Sequence, residues 1–146
     1  MSQSIGILDI TFQAGADLSA SQFAPVKLGA NANEVVLAGV NEEAIGIIQN
    51  APTSGKAAQV RLAGTSKVKA SGAIAKGLAI VAAAAGQVAA AGGGHTHQEN
   101  TAGAYTQNAQ TLGPTAASIQ YVLGRLLEAA GAAGDIVEMF IQPQRW

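Results

Sequence analysis

The stretch AAQVRLAGTSKVKASG, residues 57–72, decides the fold class. Within it, apolar side chains alternate with polar ones in Gln59–Ala63 and again in Lys67–Ala70. Because successive side chains of a strand point to opposite faces, this alternation is typical of two strands that each bury one face. We interpret their basic side chains as solvated positions, with docking against an acidic surface as the alternative. These side chains are Arg61 on one strand and Lys67 and Lys69 on the other.

Short apolar segments separated by turn residues occupy much of the remaining chain. FAPVKLGANANEVVLAGV contains two such segments joined at residues 29–33, where glycine and asparagine tolerate left-handed backbone angles. AIGIIQN is followed by a second turn at 51–56, and Gly72 and Gly77 separate further segments. Short strands at this spacing predict a mainly β domain, a small barrel or sandwich.

The segment from Ile119 to Ala130 is ambiguous. Its apolar residues fall at helical spacing, but Gly124 interrupts the pattern and disfavours a helix by about 1 kcal/mol relative to alanine. We favour a strand, because a β domain with few aromatic residues needs these large side chains in its core. A turn at 131–135 then precedes a predicted strand at Ile136–Ile141, which Pro143 is expected to end.

The 146 residues are predicted to form one domain with an additional arm. Residues 1–22 are the arm and 23–146 the β domain, from which residues 91–116 extend as a long inserted loop rich in small and polar residues. Val81–Gln98 is interpreted as a small-residue strand that runs into the exposed tip of this loop.

The arm contains a short apolar segment. In an extended chain, Leu8, Ile10 and Phe12 would project to one face, and Ile5 and Ile7 to the other. Two interpretations remain open. The segment is an edge strand of the domain's own sheet, or it adds as a strand to the sheet of a partner.

Composition excludes several classes of function. Charged residues make up 12% of the chain, the net charge is −1, and there is no cysteine, so disulfides are excluded. The chain has no basic stripe interleaved with aromatic residues, so nucleic-acid binding is not predicted. The sequence has no apolar run long enough to predict a membrane span, and the N-terminus is not typical of a secretory signal. A surface this poor in charge favours contact with neighbouring proteins, because few ions must be desolvated.

Candidate chemical groups are few. His95, His97 and Glu99 lie two residues apart and could supply three metal ligands in an extended strip, but we favour an exposed polar loop. Within such a loop the two histidines could instead respond to pH. Glu42 and Glu43 are adjacent, so on a strand they would point to opposite sides and could not act as an acid/base pair. No nucleophile elbow, phosphate loop or dinucleotide fingerprint occurs. We therefore predict neither an enzyme nor a cofactor.

The order of the segments "VKASGAIAKGLAIV", "AAAAGQV" and "VLGRLLEAAGAAGDIVEMFI" resembles that of the capsid cement, or head decoration, proteins of tailed bacteriophages. The most specific piece is Gly124–Ala129 followed by Gly134–Glu138, and the similarity spans Phe23–Val88 and Tyr121–Ile141. The resemblance implies a β-tulip-like domain, a homotrimer and a place on the outer capsid surface of the virion. It also implies the major capsid protein as partner and transfers no catalytic residues. The inserted loop is longer than the usual connection.

Under this resemblance the arm is the candidate capsid-facing element, through Ile5, Ile7, Leu8, Ile10 and Phe12. Two other functions compete with it. A carbohydrate- or host-surface-binding module would use the inserted loop, with Tyr105 and Trp146 as stacking platforms beside His95 and His97. A small metal-dependent enzyme would use His95, His97 and Glu99.

Overall fold

A computed structural model of the protein describes residues 5–92 and 120–145. Within them the chain is mainly β, as predicted, with one short 3₁₀ turn at Ala84–Gly86. The strands are β1 (Gly6–Ala14), β2 (Pro25–Leu28), β3 (Glu34–Leu37), β4 (Gly46–Ile48), β5 (Ala57–Lys69), β6 (Ala79–Ala82), β7 (Val88–Ala90), β8 (Tyr121–Leu126) and β9 (Ile136–Arg145). No helix in these residues is long and apolar enough to cross a membrane.

β5 is a single strand of 13 residues where the sequence predicts two. Its even-numbered side chains are buried at Ala58, Val60 and Val68, whereas Lys67 and Lys69 are exposed as expected. The pattern is weakest around Gly64, which has a φ of +109° and so departs from regular extended geometry. Strand pairing is nevertheless maintained along β5. β1 pairs with the residues up to Gly64, and β9 pairs with the residues from Gly64 onward.

The first half of β5 belongs to a closed ring of strands. β1 pairs with β3, β3 with β2, β2 with β4, β4 with β5, and β5 again with β1. The two segments predicted on either side of residues 29–33 form an antiparallel hairpin of β2 and β3, and Asn33 in its turn has a φ of +58°. The ring encloses a small apolar core, whose buried members are Ala14, Leu18, Ala24, Val26, Val35, Ile48, Ala58 and Val60.

The second half of β5 belongs to another ring. It pairs with β9, which is followed by β8, β6 and β7, and a parallel bridge between Ala70 and Val88 returns to the end of β5. This ring encloses the larger core, in which Ile80, Leu123, Leu126 and Met139 are fully buried. Two small barrel-like halves thus share one strand, and closure in each leaves few unpaired strand edges.

The ambiguous segment is a strand at Tyr121–Leu126, as favoured from the sequence. The predicted end of β9 at Pro143 is wrong, because the strand continues to Arg145. The register between β8 and β9 shifts between Val122 and Gly124, so the proline lies where β9 has one residue more than its partner. A bulge of this kind accommodates a residue without an N–H group.

The predicted strand at Val81–Gln98 proves to be a tight hairpin over its described part, with β6 and β7 joined by the 3₁₀ turn. Beyond β7 the chain is described again from Gln120, whose side chain lies against Gly92; a Cβ on this glycine would be 2.7 Å from Gln120 Nε2. The intervening residues, which include most of the predicted loop at 91–116, lie outside the described part. Their two attachment points are therefore neighbours.

Because these attachment points are adjacent, we expect residues 93–119 to be dispensable for folding. Replacing them with a short Gly-Ser linker should preserve the circular dichroism spectrum and cooperative unfolding in urea. The free energy of unfolding should stay the same or rise by up to about 1 kcal/mol, because a shorter connection between Gly92 and Gln120 is closed at lower entropic cost. Loss of cooperative unfolding would contradict this expectation.

Gly64, the one glycine of β5, is not expected to tolerate a side chain. A Cβ at this position would overlap the carbonyl oxygen of Ile5, and its φ is unfavourable for any other residue. We expect Gly64→Ala to lower the free energy of unfolding by about 2–4 kcal/mol. The matched control is Gly72→Ala, since a Cβ there would meet no atom within 4 Å. Equal effects of the two substitutions in urea titrations would contradict the assignment.

Candidate interaction surface

The apolar side chains of the predicted arm are largely exposed. Ile5 is 58% exposed, Ile7 73%, Leu8 47% and Ile10 39%, whereas Phe12 is partly buried against the core of the first ring. Four of the five predicted contact residues thus form one exposed apolar segment, which we call the β1 surface (Ile5, Ile7, Leu8 and Ile10). Phe12 anchors the strand to the domain instead. Contiguous exposed apolar residues commonly mark interaction sites.

β1 lies in the domain's own sheet, which is one of the two interpretations left open by the sequence. Gly6–Gln13 pair antiparallel with Gly64–Ala57 of β5. On its other side, β1 pairs with β3 only at Gln13 and Ala14. Within the described residues, the backbone edge of Gly6–Phe12 therefore has no second strand beside it.

One arginine fixes the exposed half of β1 to β5. Arg61 donates from Nε to Asp9 Oδ1 at 2.8 Å and from Nη2 to Oδ2 at 2.9 Å. Its Nη1 also donates to the carbonyl oxygen of Thr65 at 3.0 Å. Gly6 lies against the same guanidinium group, since a Cβ there would be 2.7 Å from Nη2. The prediction that Arg61 is a solvated side chain is therefore wrong, and only 13% of it is exposed.

The arginine also neutralises the surface that it supports. Its hydrogen bonds lower the pKa of the Asp9 carboxyl, and the carboxylate in turn raises the pKa of the Arg61 guanidinium. Both groups are therefore charged at neutral pH and compensate each other. Bidentate pairs of this geometry are among the stronger charge-assisted hydrogen bonds. The β1 surface consequently presents apolar side chains with no net charge from this pair.

Sequence patterns did not single out Phe140, which extends the apolar region across β5. On one side of β5, Thr65 pairs with Phe140 of β9. On the other side, the Thr65 N–H donates to the Ile5 carbonyl oxygen at 2.9 Å. Ile5 and Phe140 therefore flank the same residue. Phe140 is 39% exposed. The sequence did contain a signal for this exposure. Phe140 alternates along β9 with Val137, Met139 and Ile141, which are buried, and so lies on the same face as Ile136 and Glu138.

The other predicted site residues fall outside this surface. His95, His97, Glu99, Tyr105 and Trp146 lie outside the described residues. In the described part of the chain, no three histidine, cysteine, aspartate or glutamate side chains gather in a way that could hold a metal ion. Glu42 forms an ion pair with Lys27, and Glu43 is exposed.

The chain was compared with known proteins. No protein-family model and no curated protein matches it. Among solved structures, the crystal structure of the head fiber gp8.5 N base in bacteriophage phi29 is similar, with a TM-score of 0.57 and 18% sequence identity. The chain shares its fold with this base. The similarity covers 95% of this chain and 97% of that one, so it includes both rings.

Stability at acidic pH is expected to depend on Asp9. A carboxyl whose pKa is lowered by folding stabilises the protein above its ordinary pKa of about 4, and this contribution is lost as the pH falls through the lower, folded value. At neutral pH we expect Asp9→Asn to cost about 1 kcal/mol. The difference from the unmodified protein should shrink below about pH 4, as measured by urea titrations across the acidic range.

Glu128→Gln provides the matched control, because Glu128 is exposed and forms no ion pair with any described residue. A difference between Asp9→Asn and the unmodified protein that stays constant down to the lowest pH would contradict the role of the ion pair.

Proposed function

We propose that this protein is a structural component of a bacteriophage head, and more specifically a cement protein that binds the outer surface of the capsid. The observation that carries the proposal is the combination of the fold with the β1 surface. The fold is shared over nearly the whole chain with the base of a phage head fibre. The exposed, locally neutral β1 surface supplies a contact region on that fold.

In this proposal the β1 surface contacts the major capsid protein. Burying one exposed isoleucine or leucine contributes about 1–2 kcal/mol. Four such residues give a favourable term that is largely offset by the entropic cost of association. A single copy would therefore bind weakly. The internal pairing of Asp9 with Arg61 helps, because neither charge needs a new partner when water is removed from the contact.

Oligomerisation would turn weak contacts into firm attachment. We propose a homotrimer, in which three β1 surfaces act together on neighbouring capsid subunits at high effective concentration. Detachment then requires several contacts to break at once, and each copy links subunits that would otherwise separate. The role is structural and involves no catalysis, metal or cofactor. Sedimentation equilibrium of the purified protein measures the oligomeric state, and a monomer at all concentrations would argue against the trimer.

The test of the capsid contact is substitution on the β1 surface. We expect Ile7→Ser combined with Leu8→Ser to lower the occupancy of the protein on purified heads at least tenfold, since about 2 kcal/mol or more of apolar burial is lost at each copy. Occupancy is measured by quantitative gel analysis after heads stripped of the protein are incubated with each variant. Substitution is preferable to deletion of the arm, because Ala14 belongs to the core of the first ring and Phe12 packs against it.

Val40→Ser is the matched control. Val40 is 70% exposed, close to the 73% of Ile7, but it lies in the turn that follows β3. Its substitution should leave occupancy unchanged. Undiminished occupancy of the Ile7→Ser, Leu8→Ser variant would exclude the β1 surface as the capsid contact.

A further inference from the structure

A second feature of the protein is an open cleft away from the β1 surface. Its volume is about 510 Å³, within the range of small-molecule sites. Its lining comes from the end of β2, the turn before β4 and the start of β8. The lining residues are Lys27, Leu28, Asn41, Glu42, Glu43, Ile45 and Tyr121.

The polar side of the cleft is held in place by several bonds. Lys27 Nζ lies 2.7 Å from Glu42 Oε2, and the same carboxylate accepts the Gly39 N–H at 2.6 Å. These contacts lower the pKa of the Glu42 carboxyl, so it is ionised at neutral pH. Asn41 has a φ of +54°, and its backbone N–H donates to the Ala82 carbonyl oxygen at 2.9 Å. The turn thus presents donor and acceptor groups in a fixed arrangement.

The apolar side of the cleft supplies an aromatic side chain. Tyr121 is half-buried at the start of β8, and its backbone N–H donates to Asn41 Oδ1 at 3.4 Å. Leu28 and Ile45 complete this side. Tyrosine combines a large apolar ring with a polar hydroxyl group, which suits ligands that have an apolar face and a polar edge.

We propose that this cleft binds a neutral saccharide. Lys27 and Glu42 neutralise each other, and Glu43 leaves the cleft with one net negative charge, which disfavours phosphate, sulfate and other anions. A sugar ring offers C–H groups to Tyr121 and hydroxyl groups that both donate and accept hydrogen bonds. Those hydroxyls match ammonium, amide and carboxylate groups at once. The site does not depend on the proposed capsid contact, because it uses other residues on other strands.

The experiment is a titration of the full-length, ¹⁵N-labelled protein followed by NMR. The probes are glucose, galactose, N-acetylglucosamine and the β-1,4-linked disaccharides of glucose and N-acetylglucosamine, each up to about 50 mM to capture millimolar affinity. At least one sugar should shift the amide signals of Leu28, Asn41 and Tyr121 saturably. The affinity should be unchanged by added sodium chloride, because the ligand is uncharged.

Three variants localise the binding. Tyr121→Ala should weaken it about tenfold, whereas Tyr121→Phe keeps the ring and should retain most of the affinity. Glu43→Gln changes an exposed side chain without affecting the fold and should weaken binding about threefold by removing a charged acceptor. Glu128→Gln is the matched control outside the cleft and should have no effect.

The proposal is overturned if none of the sugars produces saturable shifts at the cleft. It is also overturned if the Tyr121→Ala and Glu43→Gln variants bind as tightly as the unmodified protein. Tighter, salt-sensitive binding of N-acetyl-lysine amide would assign the cleft to a basic side chain of a protein partner and would equally exclude the saccharide.

Discussion

The fold depends on one strand that serves two rings. β5 closes the first ring with its first half and the second ring with its second half, and the change of partner occurs at Gly64, which β1 and β9 approach from opposite sides. Only a residue without a side chain permits the Ile5 carbonyl oxygen to come so close. The two apolar cores are each small, so neither ring would retain its shape if the shared strand were displaced. The geometry of this crossing therefore sets how β1 and β9 lie on either side of β5.

The same crossing explains why the β1 surface is ordered although it is apolar and exposed. β1 reaches past the first ring, where Phe12 and Ala14 still contribute to the core, and its outer half is supported by β5 alone. Arg61 compensates for the missing neighbour by binding Asp9 and the carbonyl oxygen of Thr65 together. Because 13% of the Arg61 side chain and 26% of the Asp9 side chain are exposed, these bonds are less screened by water than those of a fully exposed ion pair. An apolar strand is thereby presented without being buried by its own domain.

Sequence patterns predicted the features that depend on local alternation of side chains. They did not predict the features that depend on pairing between strands distant in the sequence. The β class, the hairpin of β2 and β3, the strand at Tyr121–Leu126 and the exposure of Lys67 and Lys69 follow from spacing and turn residues. The environment of Arg61 could not be predicted, because its partner Asp9 lies 52 residues away. Pro143 was expected to end β9, and only the register with β8 reveals the bulge that accommodates it. The exposed phenyl ring of Phe140 likewise depends on which face of β9 the second ring encloses.

Closure of both rings has a consequence for assembly. A closed ring leaves no unpaired strand edge, and proteins generally protect the edges that remain with charges, prolines or covering segments. Among the described strands, the outer half of β1 has an open edge whose one acidic residue is already neutralised by Arg61. The chain contains few charged residues, so electrostatic repulsion opposes association with other proteins only weakly. An edge with these properties favours association with another chain, and the proposed contact with the capsid would cover it.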